Sequence, residues 1–167
     1  MTLGSMSYPA AALGSAGSRL PAAIATTRPP SMQPLKTYIV EDSQIIRESL
    51  VATLEELVPV QVVGTAEDES TAVHWLQQPG HGVDLLIVDI FLKGGSGLGV
   101  LRAVSGLANG PTTVVLSNYA TPDIRRKCIE LGADRVFDKS NQIDDLIGYC
   151  ALLADGGGGA VAGALGV

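Results

Sequence analysis

The sequence has no apolar run near the roughly 18–20 residues that a membrane-spanning helix needs. It also has no long Lys/Arg run of the kind that tracks a phosphate backbone or an anionic bilayer. Neither nucleic acid nor a membrane is therefore expected as the main partner. Cysteine is scarce: Cys128 and Cys150 stand alone, without a disulfide framework or a metal-ligand spacing, which points to a reduced, cytoplasmic compartment. Histidine is equally sparse, and His74 and His81 lack the partners of a zinc site. What is present is apolar and acidic. Hydrophobic residues make up 46% of the 167, and the net charge is −6. Mean hydropathy is +0.29. One packed domain fits this length, and wholesale disorder does not.

Composition changes twice along the chain. In residues 1–34, Ala, Ser, Pro and Gly supply 20 of 34 positions and the only charges are Arg19 and Arg28. The segment has neither the basic start nor the apolar block of a secretory signal. It reads as a flexible leader, or as untranslated sequence ahead of a start at Met32. Residues 155–167 begin with Asp155 and four glycines and read as a loose tail. The folded unit is expected over 35–154.

Within that unit, short apolar runs alternate with helical spacings. Runs occur at Thr37–Val40, Val60–Val63, Leu85–Ile90, Thr113–Leu116 and Arg135–Phe137. Several are too apolar for a strand with one wet face and suit a parallel sheet covered on both sides. Between them, Ile46, Leu50, Leu54 and Leu57 recur at helical intervals, as do Leu98, Leu101, Val104 and Leu107, and later Ile143, Ile147, Cys150 and Leu153. Ser43, Asp68, Thr121 (followed by Pro122) and Asn141 (with Asp144 three later) are expected helix caps, and Gly132 a helix stop. The pattern predicts an α/β fold: five βα units, (βα)5, forming a doubly wound, five-stranded parallel sheet. Sites in such sheets form at the carboxyl ends of the strands.

The residues at those ends are polar where burial is costly. The first run ends in Glu41-Asp42, the third is interrupted by Asp89, the fourth ends in Ser117, and Lys139 follows the fifth. A parallel sheet brings all five into one crevice. Three carboxylates repel each other there unless a hard divalent cation such as Mg²⁺ sits among them. A carboxylate flanked by metal, hydroxyl and ammonium suits nucleophilic capture of a phosphoryl group by Asp89, with Lys139 and Ser117 each serving one phosphoryl oxygen. Taken singly, each residue has an ordinary explanation: a solvated loop acid, a strand-end lysine, a serine turn. The set is what carries weight. Gly94-Gly95-Ser96-Gly97 lacks the terminal Lys-Ser/Thr of a phosphate loop and reads as a flexible connector.

The motifs Val40-Glu41-Asp42-Ser43, Leu86-Ile87-Val88-Asp89, Gly94-Gly95-Ser96-Gly97-Leu98, Val114-Val115-Leu116-Ser117-Asn118, Gly132-Ala133-Asp134 and Asp138-Lys139-Ser140 stand in one order. In that order the chain resembles a response-regulator receiver domain of two-component signalling, over essentially all of 37–154. The resemblance implies a stand-alone, flavodoxin-like receiver in which Asp89 takes phosphate from a histidine kinase or a histidine phosphotransfer protein. It implies Mg²⁺ held by Asp42, Asp89, Glu41 through water, and the Phe91 main-chain carbonyl. Ser117 matches the switch hydroxyl and Lys139 the phosphate-binding lysine. Output then passes to another protein through the face of the fourth strand and following helix, around Asn118, Tyr119, Asp123 and the basic triplet Arg125-Arg126-Lys127. The chain is expected to be a monomer or a phosphorylation-dependent homodimer.

Three positions depart from the family pattern. Ser140 stands where proline, often cis, usually follows the lysine. Lys93 stands where proline is common. Val136 occupies the place of the switching aromatic, and a valine cannot swing between rotamers as tyrosine does. Signalling then rests on Ser117 and its loop, with Tyr119 as the moving aromatic. The alternatives are a constitutive docking module that never takes phosphate and an Asp-dependent phosphatase. The phosphatase wants a second Asp where Phe91 stands.

Overall fold

The computed structural model describes residues 33–156; the leader and tail expected at 1–34 and 155–167 lie almost wholly outside them. Strands β1 (Leu35–Val40), β2 (Val60–Ala66), β3 (Leu85–Val88), β4 (Thr112–Ser117) and β5 (Arg135–Asp138) alternate with helices α1 (Gln44–Leu57), α2 (Glu69–Leu76), α3 (Gly97–Ser105), α4 (Pro122–Glu130) and α5 (Ile143–Ala154). All pairings are parallel, in the order β2-β1-β3-β4-β5. The strand order reverses beside β1, so the carboxyl ends of β1 and β3 flank the crevice.

Two cores explain why the strands read as nearly continuous apolar runs. Tyr38, Val40, Leu86, Val88, Val115 and Val136 pack on one face with Leu76, Val100, Leu101 and Cys128. Their sequence neighbours Ile39, Leu85, Ile87, Val114, Leu116 and Phe137 pack on the other with Leu50, Leu54, Leu146, Tyr149 and Cys150. Alternate side chains of a strand point to opposite faces, so a sheet covered twice must be apolar at both parities. Each fully buried aliphatic side chain contributes about 1.5–3 kcal/mol. Trp75 covers the sheet, stacked 4.2 Å from the Tyr38 ring, with His81 stacked on its other side at 3.5 Å. Both cysteines are free and buried. Among the described residues no helix is long and apolar enough to cross a membrane.

The helix starts follow the sequence in three places and depart from it in a fourth. Ser43, Asp68 and Thr121 accept from the backbone N–H groups of Ile46, Thr71 and Ile124. Asn141 does not cap α5: Gln142 holds that position and makes no side-chain cap bond. Its amide oxygen accepts instead from Asp138 N and Arg125 Nη2, both at 2.8 Å.

The glycine run after β3 is a built turn and not a loose connector. The strand ends at Val88, two residues before the apolar pattern does, because the chain turns there toward α3. Ser96 caps α3 through Leu98 N. Gly97 donates to Ile90 O at 2.9 Å. A Cβ at position 97 would lie 2.1 Å from the Asp89 carbonyl oxygen, so only glycine fits. Gly132 closes α4 at φ +105°, the left-handed conformation that helix stops require.

Candidate functional site

Glu41 ends β1 almost fully buried, at 3% exposure, and each of its polar groups is held. Its N–H donates to Ala66 O at 2.9 Å. Its carbonyl accepts from Arg47 Nη1 at 2.8 Å, and Oε2 accepts from Ser43 N at 3.0 Å. Oε1 accepts from Lys139 Nζ. Asp89, 7% exposed, follows β3 in the adjacent strand. Its N–H donates to Val40 O at 2.9 Å. Oδ1 accepts from Phe91 N at 3.2 Å and Oδ2 from Lys139 Nζ at 2.8 Å. Asp42 completes the group: one carboxylate oxygen from each of Glu41, Asp42 and Asp89 lies within 4.8 Å of the others.

Lys139 reaches this acid group from the far side of the sheet. Its own N–H donates to Ser117 O at 3.0 Å, which fixes where the side chain leaves the backbone. Burial by itself pushes an ammonium pKa down. Here the hydrogen bonds and charges of Asp89 and Glu41 outweigh it and hold Lys139 above its usual value. The lysine is charged, and one ammonium against three carboxylates leaves two negative charges, the charge of one divalent cation. The donors are all hard oxygens, as Mg²⁺ prefers. The residues present therefore fit such an ion.

The site opens as a cleft of about 200 Å³ lined by Glu41, Asp42, Ser43, Ile46, Asp89, Phe91, Asn118, Tyr119 and Lys139. Four of the five anticipated strand-end residues thus line one crevice. Ser117 does not. It is fully buried, with Oγ accepting from Tyr119 N at 3.2 Å, and Asn118 and Tyr119 line the cleft beside it. The Phe91 and Tyr119 rings meet edge to face across the mouth, 5.0 Å apart and both well exposed.

The three departures have definite structural answers. No cis peptide bond occurs among the described residues. The turn after Lys139 is made by hydrogen bonds: the Asp138 carboxylate accepts from Ser140 N at 2.7 Å and from Ser140 Oγ, and Gln142 N donates to Asp138 O at 2.8 Å. The Ser140 bonds hold the Asp138 carboxyl below its usual pKa. Lys93 forms an ion pair with Glu67, which also takes Arg47 Nη2 at 3.2 Å. Val136 is buried on the α4 side and Phe137 on the α5 side, tilted against Tyr149 at 6.1 Å.

The basic triplet is not one patch. Arg126 pairs with Asp123, whereas Arg125 turns inward and bonds to Ala120 O, Val136 O and Gln142. The sequence reading missed Arg47, Glu67 and Gln142. Each is a single polar residue whose partners are distant or backbone, and no spacing signals that.

The comparisons with known proteins agree with this geometry. Residues 37–151 match the response regulator receiver domain. The chain belongs to that family. It is similar to the Fimbriae Z protein of Salmonella typhimurium, 26% identical over 125 residues, covering 75% of this chain and 59% of that protein. It is also similar to a probable transcriptional regulatory protein of Picosynechococcus, 32% identical, covering 71% of this chain and 48% of that protein. The signal receiver domain of the putative response regulator NarL from Mycobacterium tuberculosis superposes with a TM-score of 0.65. It shares 23% identity, covering 74% of this chain and 98% of that one, a likeness of fold. The chain spans about half the length of these two curated relatives. As a receiver domain it has a phosphoacceptor function in two-component signalling, and the reading as a docking module that never takes phosphate is not favoured.

Proposed function

We propose that Asp89 is the phosphoacceptor, taking a phosphoryl group from a histidine kinase or a histidine phosphotransfer protein. A carboxylate oxygen of Asp89 attacks phosphorus. The new P–O bond forms as the P–N bond to the donor histidine breaks, and the electron pair leaves on the imidazole nitrogen. Lys139 then donates from Nζ to one phosphoryl oxygen instead of to the bare carboxylate. Ser117 accepts the Tyr119 N–H with a lone pair, so its own proton is free to donate to a second oxygen once the loop closes. Mg²⁺ would be held by Asp42, Asp89, the Phe91 main-chain carbonyl and, through water, Glu41, and it would supply charge neutralisation at the phosphoryl oxygens. The Phe91 and Tyr119 rings keep water from the acyl phosphate.

The observation that carries this reading is the Asp89 carboxylate, in reach of an ammonium and two further acids at the wall of an open cleft. The exposed Ile45 and Ile46 beside that cleft offer the donor protein an apolar ledge. The output partner meets the β4–α4 face, as a monomer or through a phosphorylation-dependent homodimer, and the setting is the cytoplasm. The test is intact mass after incubation with acetyl phosphate and Mg²⁺. The wild type should gain one phosphoryl group and Asp89→Asn none; equal labelling of both would defeat the assignment.

A further inference from the structure

Two turns bound the cleft on the side away from the acids. The β4–α4 turn carries Asn118 and Tyr119, and the β5–α5 turn carries Lys139. The turns come from different parts of the chain and share few anchors; Lys139 N–H to Ser117 O is one. A second runs through a single side chain. Arg125, on the first turn of α4, donates from Nε to Ala120 O at 2.9 Å, from Nη1 to Val136 O at 2.8 Å, and from Nη2 to Gln142 Oε1 at 2.8 Å. One rigid guanidinium thus grips the β4–α4 turn, strand β5 and the start of α5.

The grip extends to the lysine. The same Gln142 oxygen accepts from Asp138 N, and the Asp138 carboxylate and carbonyl hold Ser140 and Gln142. Asp138 immediately precedes Lys139. A displacement of Lys139 as it exchanges Asp89 for a phosphoryl oxygen therefore pulls on Gln142, and through Arg125 on Ala120 and α4. Half-buried and bonded to two backbone carbonyls and one side-chain amide, Arg125 is a poor candidate for the solvated docking charge that its place in the basic triplet suggests.

We propose that Arg125 is a positioning residue: it sets the β4–α4 turn against the Lys139 turn and carries the occupancy of Asp89 into helix α4. This rests on the reading of Asp89 and Lys139 given above. Two linked elements respond together only if a shared contact distinguishes their states, and this guanidinium is placed to be that contact.

The experiment compares amide exchange of residues 118–130, with Mg²⁺, before and after adding beryllofluoride as a phosphoryl mimic, in the wild type, Arg125→Lys and Arg125→Met. Acetyl phosphate labelling is measured by mass on the same samples. The wild type should show a beryllofluoride-dependent change. Arg125→Met should keep its label and lose the change by about fivefold, in line with ordinary coupling energies. Arg125→Lys, which can restore one bond but not three, should fall between. A general loosening raises exchange with and without the mimic alike, so the difference reports coupling and not mere stability. If Arg125→Met does not fold, Arg125→Lys decides. A labelled variant with an undiminished change overturns the proposal alone, as does a labelled wild type whose 118–130 segment does not respond. A wild type that neither labels nor responds overturns the Asp89 reading with it.

Discussion

The two sides of the cleft are held in different ways. On the acid side, Glu41 is bonded at its N–H, its carbonyl and both carboxylate oxygens, and Arg47 and Glu67 extend the lattice to Lys93. On the switch side, the Ser117 hydroxyl accepts one bond from Tyr119 N, and the Tyr119 ring stands 61% exposed. The acid side is thus fixed before any ligand arrives. Preorganised charge costs no rearrangement at the moment of reaction. On the switch side the Ser117 hydroxyl and the Tyr119 side chain have few contacts to lose, and groups with few contacts are the ones that can move. Binding and response are divided between the two walls of one cleft.

The largest effect should come from Lys139→Ala, which removes the tie between the walls. Two nearly buried carboxylates lose their cation, and such a loss costs about 3–5 kcal/mol. We expect a matching fall in stability by urea titration without Mg²⁺, partly restored by adding it through mass action. Labelling by acetyl phosphate should slow by about 10²-fold or more, as when one preorganised donor is removed elsewhere. A variant as stable as wild type without metal would show that the acid side does not depend on the tie.

A smaller effect should follow replacement of Phe91 and Tyr119 together by Ser. Both rings are partly exposed, so stability should change by less than about 1 kcal/mol. The acyl phosphate should decay several-fold faster once water has access. Following phosphate loss by mass checks this, and an unchanged decay would remove the rings from the mechanism.

The smallest expected difference between a variant and the wild type lies in a pH response away from both walls, which serves as a control. Burial, with a contribution from Asp68, pushes the Tyr38 hydroxyl up to about 12, and burial pushes the Cys150 thiol up to about 12. Both groups hold their protons more tightly when folded. Their contribution is complete below the ordinary values of 10.0 and 9.0, and is lost as pH rises from there toward about 12. The melting temperature should decline steadily across that window. Neither group bonds Arg125, so the decline should be the same in Arg125→Met, which adds no titrating group, as in the wild type.

How much of this was legible beforehand depends on the kind of contact. The five strands and three of the helices showed in the apolar pattern, with strand boundaries off by at most three residues at either end, because a covered parallel sheet writes its burial directly into sequence; α2 and α4 were marked only by their caps. Ser43, Asp68 and Thr121 were readable as caps because capping is local. Asn141 does not cap because Gln142 stands at the start of α5 with its side chain drawn to Asp138 and Arg125, and the bond to Arg125 is one that no local rule contains. The acids, Ser117 and Lys139 were readable as strand-end polar residues, but the burial of Ser117, which keeps it from the lining of the cleft, was not. The direction of a side chain at a strand end depends on how the next loop turns.

The order of residues along this chain determined the alternation of strand and helix, the apolar surfaces that must be covered, and the identity of the groups delivered to the carboxyl edge of the sheet. These follow from burial and local hydrogen bonding, which act over a few residues. Only the tertiary structure decided that Arg125 points inward and that Lys139 spans Glu41 and Asp89. Those bonds join segments up to 98 residues apart, and whether a long polar side chain reaches its partner is settled only when the layers have packed.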